Sequence, residues 1–83
     1  MKTIKYNNKT IKLPFVGADY SNPFKMETVS NPMNGESIAM PRFAVAVYDT
    51  LMGAEQFGDY DTHRKGLDWF SKYFTKQYMV LLD

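Results

Sequence analysis

Apolar and polar positions alternate along residues 2–13, reading Lys-Thr-Ile-Lys-Tyr-Asn-Asn-Lys-Thr-Ile-Lys-Leu. With Asn7-Asn8 as a two-residue turn, Ile4 pairs with Ile11, Tyr6 with Lys9 and Lys2 with Leu13. Asn tolerates the positive φ that a type I′ turn requires. One face of this predicted hairpin then carries Ile4, Tyr6, Ile11 and Leu13, and the other Thr3, Lys5, Thr10 and Lys12. That division marks a half-buried antiparallel pair. A lone hairpin is marginal in water, so its apolar face must dock on something.

The alternation stops at Pro14. Residues 15–25 contain Gly17, Ser21, Asn22 and Pro23 and read as loop. Phe15, Val16, Tyr20 and Phe24 are too apolar for a free linker and are expected to pin this loop across the core. Lys25–Val29 and Ser37–Met40 read as a second, shorter strand pair around the turn signal Asn34-Gly35. Ile38 and Met40 would share one face. Ser21-Asn22-Pro23 and Ser30-Asn31-Pro32 read as two independent Asn-Pro turns, since two copies do not make a repeat architecture.

From Pro41 the period changes. Ala44, Val47, Tyr48, Leu51 and Ala54 follow helical spacing, flanked by Phe43, Val45 and Met52. A helix apolar on most sides is a central one, and Pro41 suits its first turn. Phe43–Tyr48 also has strand-like content, but its continuation into Leu51-Met52 favours helix. Gly53 would let an aromatic ring approach the backbone, and Gly58 would stop the helix. Asp59 or Asp61 would cap a second helix. Leu67, Phe70 and Phe74 form its apolar stripe, extended by Trp69 and Tyr73; Arg64, Lys65, Asp68 and Lys72 lie opposite. Asp68 and Lys72 are spaced for an ion pair, and Gly66 marks a close helix crossing. Thr75 would cap a last short helix over Tyr78, Leu81 and Leu82; a strand over Tyr78–Leu82 is the alternative.

The expected fold is therefore α+β: an N-terminal hairpin over residues 1–14, loops and short strands over 15–40, and a helical unit of two or three helices over 41–83. Its 83 residues allow one domain. The core is expected around Val47, Leu51, Leu67, Trp69, Phe70 and Phe74.

Composition narrows the function classes. There is no Cys, which removes disulfide frameworks and thiolate metal sites. No apolar run approaches a membrane span, and the N-terminus lacks a signal-peptide core, so a cytoplasmic protein is expected. Asn8-Lys9-Thr10 matches a glycosylation sequon by chance on this reading. The net charge of +1 supplies no global field. Locally, Lys2, Lys5, Lys9 and Lys12 make the hairpin basic, above a mildly acidic remainder.

Asp59-Tyr60-Asp61-Thr62-His63 places carboxylates and the single His near one another. Arg64 stands where a calcium loop needs Gly, and the run reads as an acidic helix cap followed by a surface His. No nucleophile elbow, paired-carboxylate signature or phosphate loop occurs. The expectation is a non-enzymatic protein without metal or cofactor. Its partner would be a protein, met by the turn Met33, Asn34, Gly35 and Glu36 or by the rings of Tyr20, Phe24 and Tyr60. A homodimer through those rings or through the edge of the N-terminal hairpin is a further expectation. The alternative is a nucleic-acid accessory protein using Lys2, Lys5, Lys9 and Lys12. Against it, Tyr6 falls on the face away from Lys5 and Lys12.

The runs Asn31-Pro32…Gly35-Glu36, Ala46-Val47-Tyr48-Asp49, Gly53-Ala54-Glu55, Arg64–Phe70 and Tyr78–Asp83 resemble short proteins of marine bacteriophages and ocean metagenomes. The resemblance covers about the last fifty residues. It implies an intracellular protein of a phage-infected bacterium and carries over no site residues, because those motifs are tied to no activity.

Overall fold

A computed structural model describes residues 2–82. Met1 and Asp83, which close the expected domain and the last resembling run, lie outside the described residues.

Two antiparallel hairpins precede three helices. Strands β1 (Thr3–Tyr6) and β2 (Lys9–Lys12) form one two-stranded sheet, and β3 (Met26–Ser30) and β4 (Ser37–Pro41) form another. Helices α1 (Arg42–Gln56), α2 (Tyr60–Tyr73) and α3 (Thr75–Leu81) follow. The α+β expectation holds, with three helices and a second hairpin. The ambiguous run Phe43–Tyr48 is helical, and so is Tyr78–Leu82 except for Leu82, which is the C-cap of α3.

The first hairpin has the expected register, Ile4 with Ile11 and Tyr6 with Lys9. Asn7 and Asn8 take φ of 50° and 63°, the left-handed conformation a type I′ turn requires. Ile11 and Leu13 are buried and Tyr6 half-buried, whereas Thr3, Lys5, Thr10 and Lys12 face water. The apolar face docks on the helices. The Tyr6 ring meets Phe43 edge-on at 5.3 Å and lies 5.9 Å from Phe74, and Trp69 Nε1–H donates to the Lys12 carbonyl at 2.7 Å.

The second hairpin runs one residue beyond the expected strands at its C-terminal ends. Pro41 is not in the first turn of α1: it is the last residue of β4, opposite Met26, and its extended backbone (φ −67°, ψ 152°) is the N-cap. Pro there removes a donor that neither strand nor helix would use.

Helix α1 is the centre of the core. Phe43, Val47 and Leu51 are completely buried on it, with Met40 from β4 and Phe70 from α2. Burying each such side chain contributes about 1.5–3 kcal/mol. Edge-to-face contacts join Phe43 to Trp69 and Phe74, and Tyr48 to Phe70. Gly58 (φ +74°) turns the chain out of α1, and Asp59 caps α2 by accepting from the Thr62 N–H. At Gly66 the helices cross so closely that an added Cβ would stand 2.6 Å from Leu51 Cβ.

Five expectations are corrected. No ring approaches Gly53, where an added Cβ would meet no atom beyond its own helix backbone within 4 Å. Phe74, not Thr75, precedes α3; the Thr75 hydroxyl donates back to the Ser71 carbonyl instead. Leu67 is only half-buried, because it flanks the crossing that Gly66 occupies. Asp68 and Lys72 form no ion pair; the Lys72 amine sits 5.1 Å from the Tyr73 ring centre. In the 15–25 loop, Phe15 and Tyr20 pack on the core, but Val16 is fully exposed and Phe24 more than half exposed.

Candidate functional site

The β3–β4 turn is held from several sides. Asn31 N–H donates to the Glu36 carbonyl at 2.7 Å and Gly35 N–H to the Asn31 carbonyl at 2.9 Å. The Asn31 side-chain oxygen accepts from Met33 N–H, and that of Asn34 from Glu36 N–H, both at 2.9 Å. Gly35 supplies the positive φ. The Asn31 amide also donates to the Val80 carbonyl at 3.0 Å, which ties the turn to α3. This scaffold holds Met33 with 91% of its surface in water.

Beneath Met33 runs a groove of about 380 Å³, between the turn, α1, α2 and the end of α3. Met52, Leu67, Leu81 and Leu82 supply its apolar walls, with Tyr48 and Pro32. Glu55 and His63 stand at the polar side. His63 Nδ1 lies 3.0 Å from the Leu51 carbonyl. A carbonyl can only accept, so Nδ1 carries the hydrogen. That leaves Nε2 toward Glu55, 3.9 Å away. His63 is thus half-buried and anchored rather than a plain surface residue. Asp59 is occupied by its two bonds to Thr62, which hold its carboxyl below the usual range.

The expected site residues do not converge on one place. Met33, Asn34, Gly35 and Glu36 form the turn above the groove. Phe24 stacks on Tyr6 and meets Phe43 edge-on, at the N-terminal hairpin. Tyr60 is exposed at the start of α2. Tyr20 is not an outward ring: it is half-buried, its hydroxyl donates to the Phe15 carbonyl at 2.8 Å, and burial raises its pKa. Met52, Leu67 and Leu81 were legible only as core positions. Leu81 is buried, and the groove that the half-buried Met52 and Leu67 line depends on where the 31–36 turn lands, which no local pattern encodes.

Lys2, Lys5, Lys9 and Lys12 are all exposed. Lys12 joins Lys65 and Lys72 around a shallow groove of about 240 Å³ beside Trp69 and Tyr73, with Asp68 among them. Trp69 is buried and its N–H is engaged, so it presents no free face for stacking. Between the 15–25 loop, β3 and α1, Asp19, Glu27, Arg42 and Asp49 line a third cavity, where Arg42 pairs with Glu27 at 3.3 Å. Asp49 is pushed up by burial and then by the Glu27 charge. Bonds from the Ser21 hydroxyl and N–H hold Asp19 below the usual range. Among the described residues no group of three His, Asp or Glu side chains is arranged to hold a metal ion. No helix among them is long and apolar enough to cross a membrane.

No family model, curated protein or solved structure matches the chain.

Proposed function

We propose that this chain is a non-enzymatic protein-interaction protein whose docking surface is the groove under Met33. The observation behind this reading is the placement of Met33: a large apolar side chain held almost wholly in solvent, above a groove walled by Met52, Leu67, Leu81 and Leu82. Thioether side chains adapt to varied apolar surfaces, and a groove of this kind takes the apolar face of an amphipathic segment. The exposed Glu55 at its side favours a partner segment that also carries Lys or Arg. The resemblance to phage proteins points to a partner inside an infected bacterium.

Paired variants test this reading. Met33→Glu and Met52→Glu should lose a partner that the wild type retains, and Lys5→Glu with Lys12→Glu should keep it. Loss through the lysine changes alone would instead favour the nucleic-acid alternative. The clustering of Lys12, Lys65 and Lys72 supports that second reading. Its signature would be affinity for single-stranded DNA or RNA that falls steeply with salt.

A further inference from the structure

A two-stranded sheet has two edges, and the edges of these two hairpins are managed differently. In an antiparallel pair, alternate residues turn their N–H and C=O groups outward. Asn31 N–H bonds to the Glu36 carbonyl and Arg42 N–H to the Lys25 carbonyl. With the register of β3 and β4, these bonds turn the backbone groups of Met26, Thr28 and Ser30 outward on β3, and those of Ser37, Ala39 and Pro41 outward on β4. By the same alternation Thr3 and Lys5 face outward on β1, and Thr10 and Lys12 on β2.

Three of the four edges are blunted. On β2, Trp69 takes the Lys12 carbonyl. On β4, Gln77 donates to the Ala39 carbonyl at 3.3 Å, and Pro41 has no N–H. Strand β1 carries exposed Lys5, flanked by Lys2, and edge lysines oppose strand addition. Strand β3 has none of these devices. Among the described residues, no hydrogen bond outside the ladder reaches Met26, Thr28 or Ser30. Their side chains are exposed and uncharged, as are those of Ser37 and Ala39 beside them. The one charged side chain within β3, Glu27, points to the other face and is paired with Arg42.

We propose that β3 is a homodimerisation edge, at which a second copy of this chain adds its own β3 antiparallel about a two-fold axis at Thr28. This edge is self-complementary. Thr28 would exchange both N–H···O bonds with the partner copy's Thr28, and Met26 would pair with the partner copy's Ser30. On the opposite face Glu27 meets Val29, so no like charges oppose each other. The same operation centred on Lys5 of β1 would set that lysine against its own copy. The inference is independent of the Met33 groove, and it places the dimer on the second hairpin rather than on the first or on exposed rings.

Sedimentation equilibrium of the full chain from micromolar to millimolar concentration tests it. The mass should rise from 9.6 kDa toward twice that value. Thr28→Lys puts an ammonium against its own copy at the two-fold and should weaken association at least about tenfold. Lys5→Thr should not weaken it. A wild-type mass of 9.6 kDa throughout, undiminished association of the Thr28→Lys protein, or a loss on Lys5→Thr equal to that on Thr28→Lys would each overturn the proposal. Should Thr28→Lys fail to fold, amide exchange on the wild type decides. Protection of Met26, Thr28 and Ser30 that grows with concentration supports the edge, and its absence rejects it.

Discussion

Two glycines lie inside helices of this protein, and replacing each with Ala should move stability in opposite directions. At Gly66 an added Cβ would meet Leu51 Cβ at 2.6 Å and Leu51 Cδ2 at 2.8 Å. Carbon atoms rest at about 3.5–4.0 Å, so the contact is roughly 1 Å too short. Turning the Leu51 side chain relieves Cδ2 but not Cβ, which moves only with the α1 backbone. The helices must therefore separate across the completely buried Leu51 and Phe70. Overpacking of this kind costs about 1–3 kcal/mol, and a contact with a backbone-tethered atom belongs at the upper end. Ala recovers about 1 kcal/mol through its better helix propensity. The net loss should be about 2 kcal/mol, or roughly 10 °C in a chain of this size. At Gly53 an added Cβ would meet nothing within 4 Å beyond its own helix backbone and φ is ordinary, so Gly53→Ala keeps only the propensity gain of up to about 1 kcal/mol. Thermal and urea unfolding of the two variants, followed by circular dichroism, reads both signs. A Gly66→Ala protein as stable as the wild type would show that α1 and α2 do not cross as described.

Trp69→Phe removes the indole donor to the Lys12 carbonyl and should lower stability by about 1–2 kcal/mol, with amides of the first hairpin exchanging faster than those of α1. Asn31→Ala deletes both the bond to Val80 and the bond from Met33 N–H, and should cost about 1–2 kcal/mol; an unchanged urea midpoint would mean that the turn is not tied to α3. Asp49→Asn tests electrostatics. Burial and Glu27 raise the folded pKa of Asp49 above its ordinary 3.8, so the folded state binds the proton more tightly and loses stability as pH rises through that window. The Asn variant should be the more stable at neutral pH, and that advantage should vanish below pH 3.8; an advantage independent of pH would refute the cause assigned.

Local chemistry made much of this fold legible. Asn7-Asn8 and Asn34-Gly35 are turn signals because few other residues accept positive φ, and both hairpins form there. The period of α1 and the Gly66 crossing could be read because burial repeats with the helix. Features set by distant contacts were hidden. Phe74 rather than Thr75 precedes α3 because the Phe74 ring is drawn into the core beside Phe43 and Trp69. Lys72 faces Tyr73 rather than Asp68 because the first hairpin docks alongside α2. The candidate site was half visible. The 31–36 turn stood out from its Asn, Pro and Gly, but its tether from Asn31 to Val80 spans 49 residues, and the groove exists only once α3 has packed.

The methionine methyls offer the most direct test of the groove as a docking surface. The described methionines are spread over distinct environments: Met33 and Met52 at the groove, Met26 on the β3 edge, Met40 in the core and Met79 exposed on α3. A methyl-labelled spectrum recorded as a partner retained by the wild type is added should show Met33 and Met52 shifting together, with Met40 and Met79 unmoved. Shifts confined to Met79 or Met26, or none at Met33 and Met52 while binding proceeds, would contradict the account.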